Sequence, residues 1–173
     1  METTHKLDVV SIRLVEEPPL YSSRELRNPC DVAEVLQNFL KDCDREVFCV
    51  LNLRTKGQVI NINVVGVGTL NSVLIHPREV FKSAILSNAS NIILAHNHPS
   101  GDPEPSRQDM DMTKRLAEAG RLMGMEVLDH VIVSDGRYFS FREEKLLPEY
   151  FQMEGIAAEQ SLPYAKNEKD KVR

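Results

Sequence analysis

His96 and His98 stand two residues apart, directly after the apolar run NIILA at 91–95. If that run is a strand, its period of two turns both imidazoles to one face. Such a pair can give two nitrogens to one metal ion, at the roughly 2.0–2.1 Å that zinc takes. Asp109 follows after a loop, SGDPEP, that is stiffened by prolines and bent at Gly101. With Asp109 as a third ligand, the set would leave one position open, as catalytic zinc sites do. The plain alternative for the two histidines is an exposed polar turn. Ser106-x-x-Asp109 also has a plain reading, because Ser at an N-cap and an acid three residues on form a helix cap. The two readings of that pair are compatible, since a cap would hold the first helical turn rigid beside the histidines.

A catalytic zinc lowers the pKa of its bound water to about 7, and the chemistry still needs a proton acceptor. Glutamate is the usual one. Glu46 is a candidate because it opens the apolar run EVFCVLNL, where a carboxylate needs a reason. Its bland reading is an exposed strand end. Glu79 sits in an Arg-Glu pair on a predicted helix and reads as a solvated salt-bridge partner. Asp102, followed by proline, reads as a turn-stabilising residue rather than a ligand. Asp129-His130 could imitate a catalytic pair, but neighbours on a strand face opposite ways. His130 therefore reads as structural or as a support for the site, with an Asp129 carboxylate orienting a ligand histidine as the live idea.

The elements that must position these groups follow from hydrophobic spacing. LDVVSIRLV (7–15) reads as a first strand, broken at Pro18-Pro19. Asn28-Pro29 opens a helix over about 29–42, with Val32, Val35, Leu36, Phe39 and Leu40 on one face. EVFCVLNL (46–53) and QVININVV (58–65) form a hairpin around Gly57, and Gly66 and Gly68 loosen the chain before a short strand near 73–75. Pro77 begins a helix across REVFKSAILSN, with His76-Pro77-Arg78-Glu79 expected at its start. A strand at 91–95 leads into the histidine loop. A helix from Arg107 to about Met123 carries Met112, Leu116, Ala119 and Met123 on one face and ends at Gly124. Glu126 to Val133 and RYFSF close the fold as a hairpin over Asp135-Gly136. Met110, Met112, Met123 and Met125 read as core fillers. The fold class is α/β (α+β), a single domain over 28–147 around one mixed sheet. Residues 1–27 form an N-terminal strand and linker, and 148–173 a flexible tail or docking arm.

The chain has 173 residues, 42% hydrophobic and 27% charged, which excludes a wholly disordered chain and a fibrous repeat. The three cysteines, Cys30, Cys43 and Cys49, form no CxxC pair or zinc-ribbon spacing and read as free thiols. With no leader pattern and no apolar run long enough for a membrane span, a cytoplasmic protein is expected. A net charge of −5 gives no general attraction to nucleic acid. H-E-x-x-H is absent, which excludes a zincin; H-x-E with P-C-x-x-C is absent, which excludes a zinc deaminase.

His96-x-His98-Pro99, six residues, then Ser106-x-x-Asp109 resembles the full JAMM motif of JAB/MPN metalloproteases. The text from TLNSVLIHPREVFKSAILSNASNIILAHNHPSGDPEPSRQDMDMTKRL to VLDHVIVSDGRYFSFRE is similar to the RadC-like branch in particular, and the resemblance covers about 28–145. It implies a mixed sheet flanked by helices, related in outline to cytidine deaminases. It implies that His96, His98 and Asp109 bind Zn²⁺, that Ser106 donates to an oxyanion, and that Glu46 is the general base for attack on a peptide or isopeptide carbonyl. No cofactor beyond zinc is implied. The alternative is a non-catalytic RadC-like binding module associated with DNA repair, recombination or mobile elements. That branch usually carries a preceding helix-hairpin-helix region, for which the first 27 residues leave no room, so a short form is expected.

Overall fold

The computed structural model describes residues 28–40, 43–68 and 75–148, together with Leu14, Val15, Glu17 and Leu26. The strands expected at 7–15 and near 73–75 and the C-terminal arm lie outside the described residues, save for Leu14, Val15, Ile75 and Pro148. In chain order the elements are α1 (Pro29–Leu40), β1 (Val47–Leu53), β2 (Val59–Val67), α2 (Pro77–Leu86), β3 (Asn91–Asn97), α3 (Arg107–Met123), β4 (Glu126–Ser134) and β5 (Arg137–Ser140). The strands form one mixed sheet in the order β2-β1-β3-β4-β5, with β3 and β4 parallel and the other pairs antiparallel. This is the mixed sheet with flanking helices expected from the sequence.

Alternation along the strands splits the core in two. Cys49, Leu51 and Leu53 of β1 and Ile93 and Ala95 of β3 pack with Val32, Leu36 and Leu40 of α1. Phe48, Val50, Ile92 and Leu94 point the other way, onto Val80, Phe81 and Ala84 of α2 and Leu116 and Ala117 of α3. β1 is buried on both sides, as a central strand must be.

Three differences from the sequence reading bear on the sheet and its packing. β2 runs on through Gly66 to Val67, because an extra residue between the Phe48–Gly66 and Cys49–Val64 pairs is absorbed as a bulge. β3 extends past Ala95 through His96 and Asn97. The buried stripe of α3 is Asp109, Thr113, Leu116, Ala117 and Gly120 rather than the face ending at Met123, which is exposed. Apolar spacing missed that stripe because its first two members are polar.

One register irregularity matters for the site. Ile92 pairs with Val127, but Ile93 pairs with Asp129, so Leu128 is an extra residue on β4. From there on, His130 lies beside Leu94 and Ile132 beside His96. His130 therefore shares the face of His96. An unbroken register would have put Asp129 there.

α3 ends in a Schellman-type turn, with Gly124 left-handed at φ 69°, Met125 N–H donating to Gly120 O (2.9 Å) and Gly124 N–H to Arg121 O (3.1 Å). A Cβ at Gly120 would lie 2.4 Å from the Met125 carbonyl oxygen. Alanine normally gains about 1 kcal/mol over glycine in a helix, but overpacking against backbone costs roughly 1–3 kcal/mol. Gly120→Ala is thus expected to lower the urea midpoint. An unchanged or raised midpoint would show that the turn into β4 can shift.

Candidate metal centre

β3 delivers the two histidines. His96 is in the strand, and His98 continues its line, its N–H donating to Val133 O of β4 at 2.9 Å. Both imidazoles fall on one face, with Nε2 atoms 3.0 Å apart. Asp109 arrives from the first turn of α3. Its Oδ1 is 3.2 Å from His96 Nε2 and its Oδ2 3.5 Å from His98 Nε2. One ligand atom from each of the three residues lies within 4.8 Å of the others, a group that could hold a metal ion. Two imidazole nitrogens and a carboxylate oxygen are a donor set that suits zinc, among other transition metals.

The expected cap forms in full. Ser106 is the N-cap of α3, its Oγ accepting from Asp109 N–H (3.2 Å) and its own N–H donating to Asp109 Oδ2 (2.8 Å). The Ser106 hydroxyl also donates to Asp109 Oδ2 at 2.6 Å. The cap aims the carboxylate at the histidines, and the positive end of the helix dipole favours its charge. Burial works against that charge, but His96 and His98, which donate to it whenever their rings carry a second hydrogen, and Ser106 hold the Asp109 carboxyl well below the usual carboxylate range. For His98, burial favours the neutral ring. It is outweighed by the Asp109 hydrogen bond, the Asp102 carbonyl and the charges of Asp109 and Glu46, so its pKa is raised.

Each histidine is held from behind. His98 Nδ1 lies 2.9 Å from the carbonyl oxygen of Asp102, which can only accept, so that nitrogen carries the hydrogen and Nε2 is bare when the ring is neutral. Asp102 thus acts through its backbone, while its carboxylate makes the expected turn by accepting from Glu104 N–H. His96 Nδ1 meets His130 Nε2 at 2.8 Å. His130 is fully buried, touches Thr113 Oγ1 through Nδ1 at 2.6 Å, and stacks on Phe141. Burial and the neighbouring His96 keep its pKa well below the ordinary histidine value. The idea of an Asp129 carboxylate orienting a ligand histidine is overturned. Asp129 faces away, accepting from Ser140 Oγ, Arg142 N–H and His130 N–H.

Glu46 sits just before β1, half-buried. Phe48 pairs with His96, so the antiparallel register carried two residues on sets Glu46 opposite His98, on the histidine face. Asn97, between the two histidines, brackets Glu46. Its Oδ1 accepts from Val47 N–H (2.7 Å) and its Nδ2 donates to Arg45 O (3.1 Å). Gly68 N–H closes on Glu46 O at 2.8 Å. Asn97 and Thr113 were not singled out in the sequence. The only trace of either is a polar residue where an apolar one would continue the pattern. The other candidates lie outside the group of three: Glu79 pairs with Lys82, and His76 caps α2 by accepting from Arg78 N–H.

Residues 26–146 match the model of the RadC-like JAB domain. The chain is 56% identical over 122 residues to a UPF0758 protein of Moorella thermoacetica, covering 70% of this chain and 53% of that one. It is 45% identical over 130 residues to a UPF0758 protein of Methanosarcina mazei, covering 75% and 55%. A UPF0758 protein of Rubrobacter xylanophilus is 52% identical over 122 residues, covering 70% and 53%. The chain spans about half the length of these curated relatives.

Two outcomes follow from the geometry. Asn97→Ala strands the buried Val47 N–H and is expected to cost about 1–3 kcal/mol in urea unfolding; no loss would mean that Val47 finds another acceptor. The second is pH dependence of the metal-free protein. Asp109, depressed, stabilises fully above its ordinary 3.8 and loses that contribution as pH falls through its folded value. His98, raised, stabilises fully below its ordinary 6.5 and loses that contribution as pH rises through its folded value. His130, held neutral by burial, lowers stability in any variant as pH falls below the ordinary 6.5, so the pairing is read as a difference: the urea midpoint of the wild type minus that of Asp109→Asn should be greatest between 3.8 and 6.5. A difference that does not change with pH would contradict the pairing.

Proposed function

The chain belongs to the family of RadC-like JAB domains, and on that premise we propose that it is a zinc-dependent hydrolase of amide bonds acting on a peptide or isopeptide. The observation that carries this reading is the convergence of His96 Nε2, His98 Nε2 and the Asp109 carboxylate. Three lone-pair acceptors this close repel one another unless a cation lies among them. A single proton meets that need in part, and a divalent ion meets it better. His96, His98 and Asp109 would hold the ion. Bound zinc would supply a Lewis acid and a water acidic enough to ionise near neutral pH.

The remaining work falls to the chain itself. Glu46, on the histidine face, takes a proton from the attacking water and returns it to the leaving amine. Its backbone is clipped on both sides by Asn97, which limits how far the carboxylate can wander. The Ser106 hydroxyl donates to the oxyanion formed at the carbonyl. It now donates to Asp109 Oδ2, and rotation about Cβ–Oγ redirects it while the Ser106 N–H keeps the carboxylate in place. Phe48 stacks against His96 at 5.8 Å between centroids and walls the site on the β1 side. The second reading is a non-catalytic module in DNA processing, for which a net charge of −5 gives no general support, although a local basic patch or a protein partner would serve it.

The test starts with metal. Protein purified without a nickel column or chelator should contain near-stoichiometric zinc by inductively coupled plasma mass spectrometry, and Asp109→Ala should lose most of it. No zinc in the wild type, even after zinc is added back, would sink the reading. In a screen of peptide and isopeptide substrates, Glu46→Gln should keep its zinc and lose roughly 10²–10⁴-fold in rate. Zinc bound with no hydrolysis of any substrate, by wild type or variant, would move the protein toward the binding module.

A further inference from the structure

The hydrogen bonds behind His96 can run in one direction only. Thr113 Oγ1 lies 2.6 Å from the carbonyl oxygen of Asp109, one helical turn back. A carbonyl only accepts, so the single hydroxyl hydrogen of Thr113 is committed there. The same Oγ1 is 2.6 Å from His130 Nδ1 and must accept in that contact. The hydrogen therefore sits on His130 Nδ1, and a neutral His130 has a bare Nε2. That nitrogen is 2.8 Å from His96 Nδ1, which must then donate. His96 Nε2 is left with its lone pair, directed at His98 Nε2 (3.0 Å) and Asp109 Oδ1 (3.2 Å).

A doubly protonated His130 would keep its bond to Thr113 but reverse the one between His130 Nε2 and His96 Nδ1. It would also place a cation with no exposed surface between the rings of Phe48 and Phe141, at centroid distances of 5.7 and 4.8 Å. Burial of that kind is strongly disfavoured. The neutral form is the one this pocket holds.

We propose that Thr113 and His130 are positioning residues that set the tautomer of His96, so that its Nε2 stands bare toward a divalent cation. The chain starts on the side chain of one ligand and ends on the main chain of another. The first turn of α3 thereby controls two ligands: it carries the Asp109 carboxylate, and through Thr113 it dictates which nitrogen of His96 is free. The purpose of the relay rests on the metal reading above, but the tautomer is a property of the metal-free protein and is measured without metal.

The test uses uniformly ¹⁵N-labelled, metal-free full chain at a pH where the imidazoles are neutral. Long-range proton–nitrogen correlations report which nitrogen of each histidine carries hydrogen. His96 is expected in the Nδ1–H form in the wild type. In His130→Phe it should relax toward the Nε2–H form that histidine favours in water, and zinc affinity by chelator competition should fall roughly 10–100-fold. His130→Gln should stay close to wild type, because an amide oxygen can accept from His96 while its NH₂ donates to Thr113. Thr113→Val, nearly isosteric, should shift tautomer and affinity in the same direction by less, and it carries the test if His130→Phe does not fold. A purely structural role would lower the stability of these variants without moving the tautomer. Finding His96 as Nε2–H in the wild type overturns the proposal, as does wild-type zinc affinity in His130→Phe or in Thr113→Val. Absence of zinc binding by a wild type whose His96 is Nδ1–H would remove the metal reading and leave the tautomer assignment standing.

Discussion

Two imidazole nitrogens stand 3.0 Å apart and each faces one oxygen of the same carboxylate, at 3.2 and 3.5 Å, and for neutral rings no hydrogen lies between the rings or between ring and carboxylate. Lone pairs do not gather of their own accord, so each must be pushed into place from behind. His98 is held by a carbonyl of its own loop, His96 by His130, and Asp109 by the cap that Ser106 makes at the start of α3. Those supports come from a loop, a strand and a helix, so the site exists only when the sheet and α3 are assembled together. Much of the polar interior of this small domain is explained by that one requirement.

The unit that meets it is β3-α3-β4. β3 and β4 are parallel, and α3 is the crossover between them. Ligand sites in open α/β sheets lie beyond the carboxyl ends of parallel strands, where strands end and helices begin. His96 and Asn97 close β3 at that end, and Asp109 opens α3 there. The slip at Leu128 then decides which residue of the Asp129-His130 pair joins them. It turns His130 under His96 and leaves Asp129 to tie β4 to the turn after β5. There Asp129 is fully buried yet accepts from Ser140, Arg142 and its own neighbour. A buried carboxylate without such partners would cost several kcal/mol.

Glu46 is placed by a different part of the fold. The antiparallel pairing of β1 with β3 sets it opposite His98, and Asn97 reaches across to clip the chain on either side of it. The H-x-H spacing therefore leaves a middle position on the opposite face, and the fold uses that position to fasten β1. The two histidines and Glu46 are thus referenced to the same three consecutive residues, His96 to His98.

The histidine loop was legible in the sequence because its chemistry is local. His96 and His98 need only a strand's period of two, and Ser106 and Asp109 only one helical turn, so short-range geometry was enough to group them. Helix α1, the hairpins and both caps were legible for the same reason: each depends on residues a few positions apart. What the sequence could not decide were contacts that depend on register between distant strands. Whether Asp129 or His130 faced the site turned on one extra residue in β4, and a one-residue slip reverses every side chain beyond it. Thr113 and Asn97 looked like interruptions in apolar patterns, because their partners lie 17 and about 50 residues away. The sequence by itself determined the types and local spacing of the residues that could hold a metal ion. Only the tertiary structure decided which polar groups stand behind them, because a hydrogen bond between elements is set by packing and register, which no local pattern encodes.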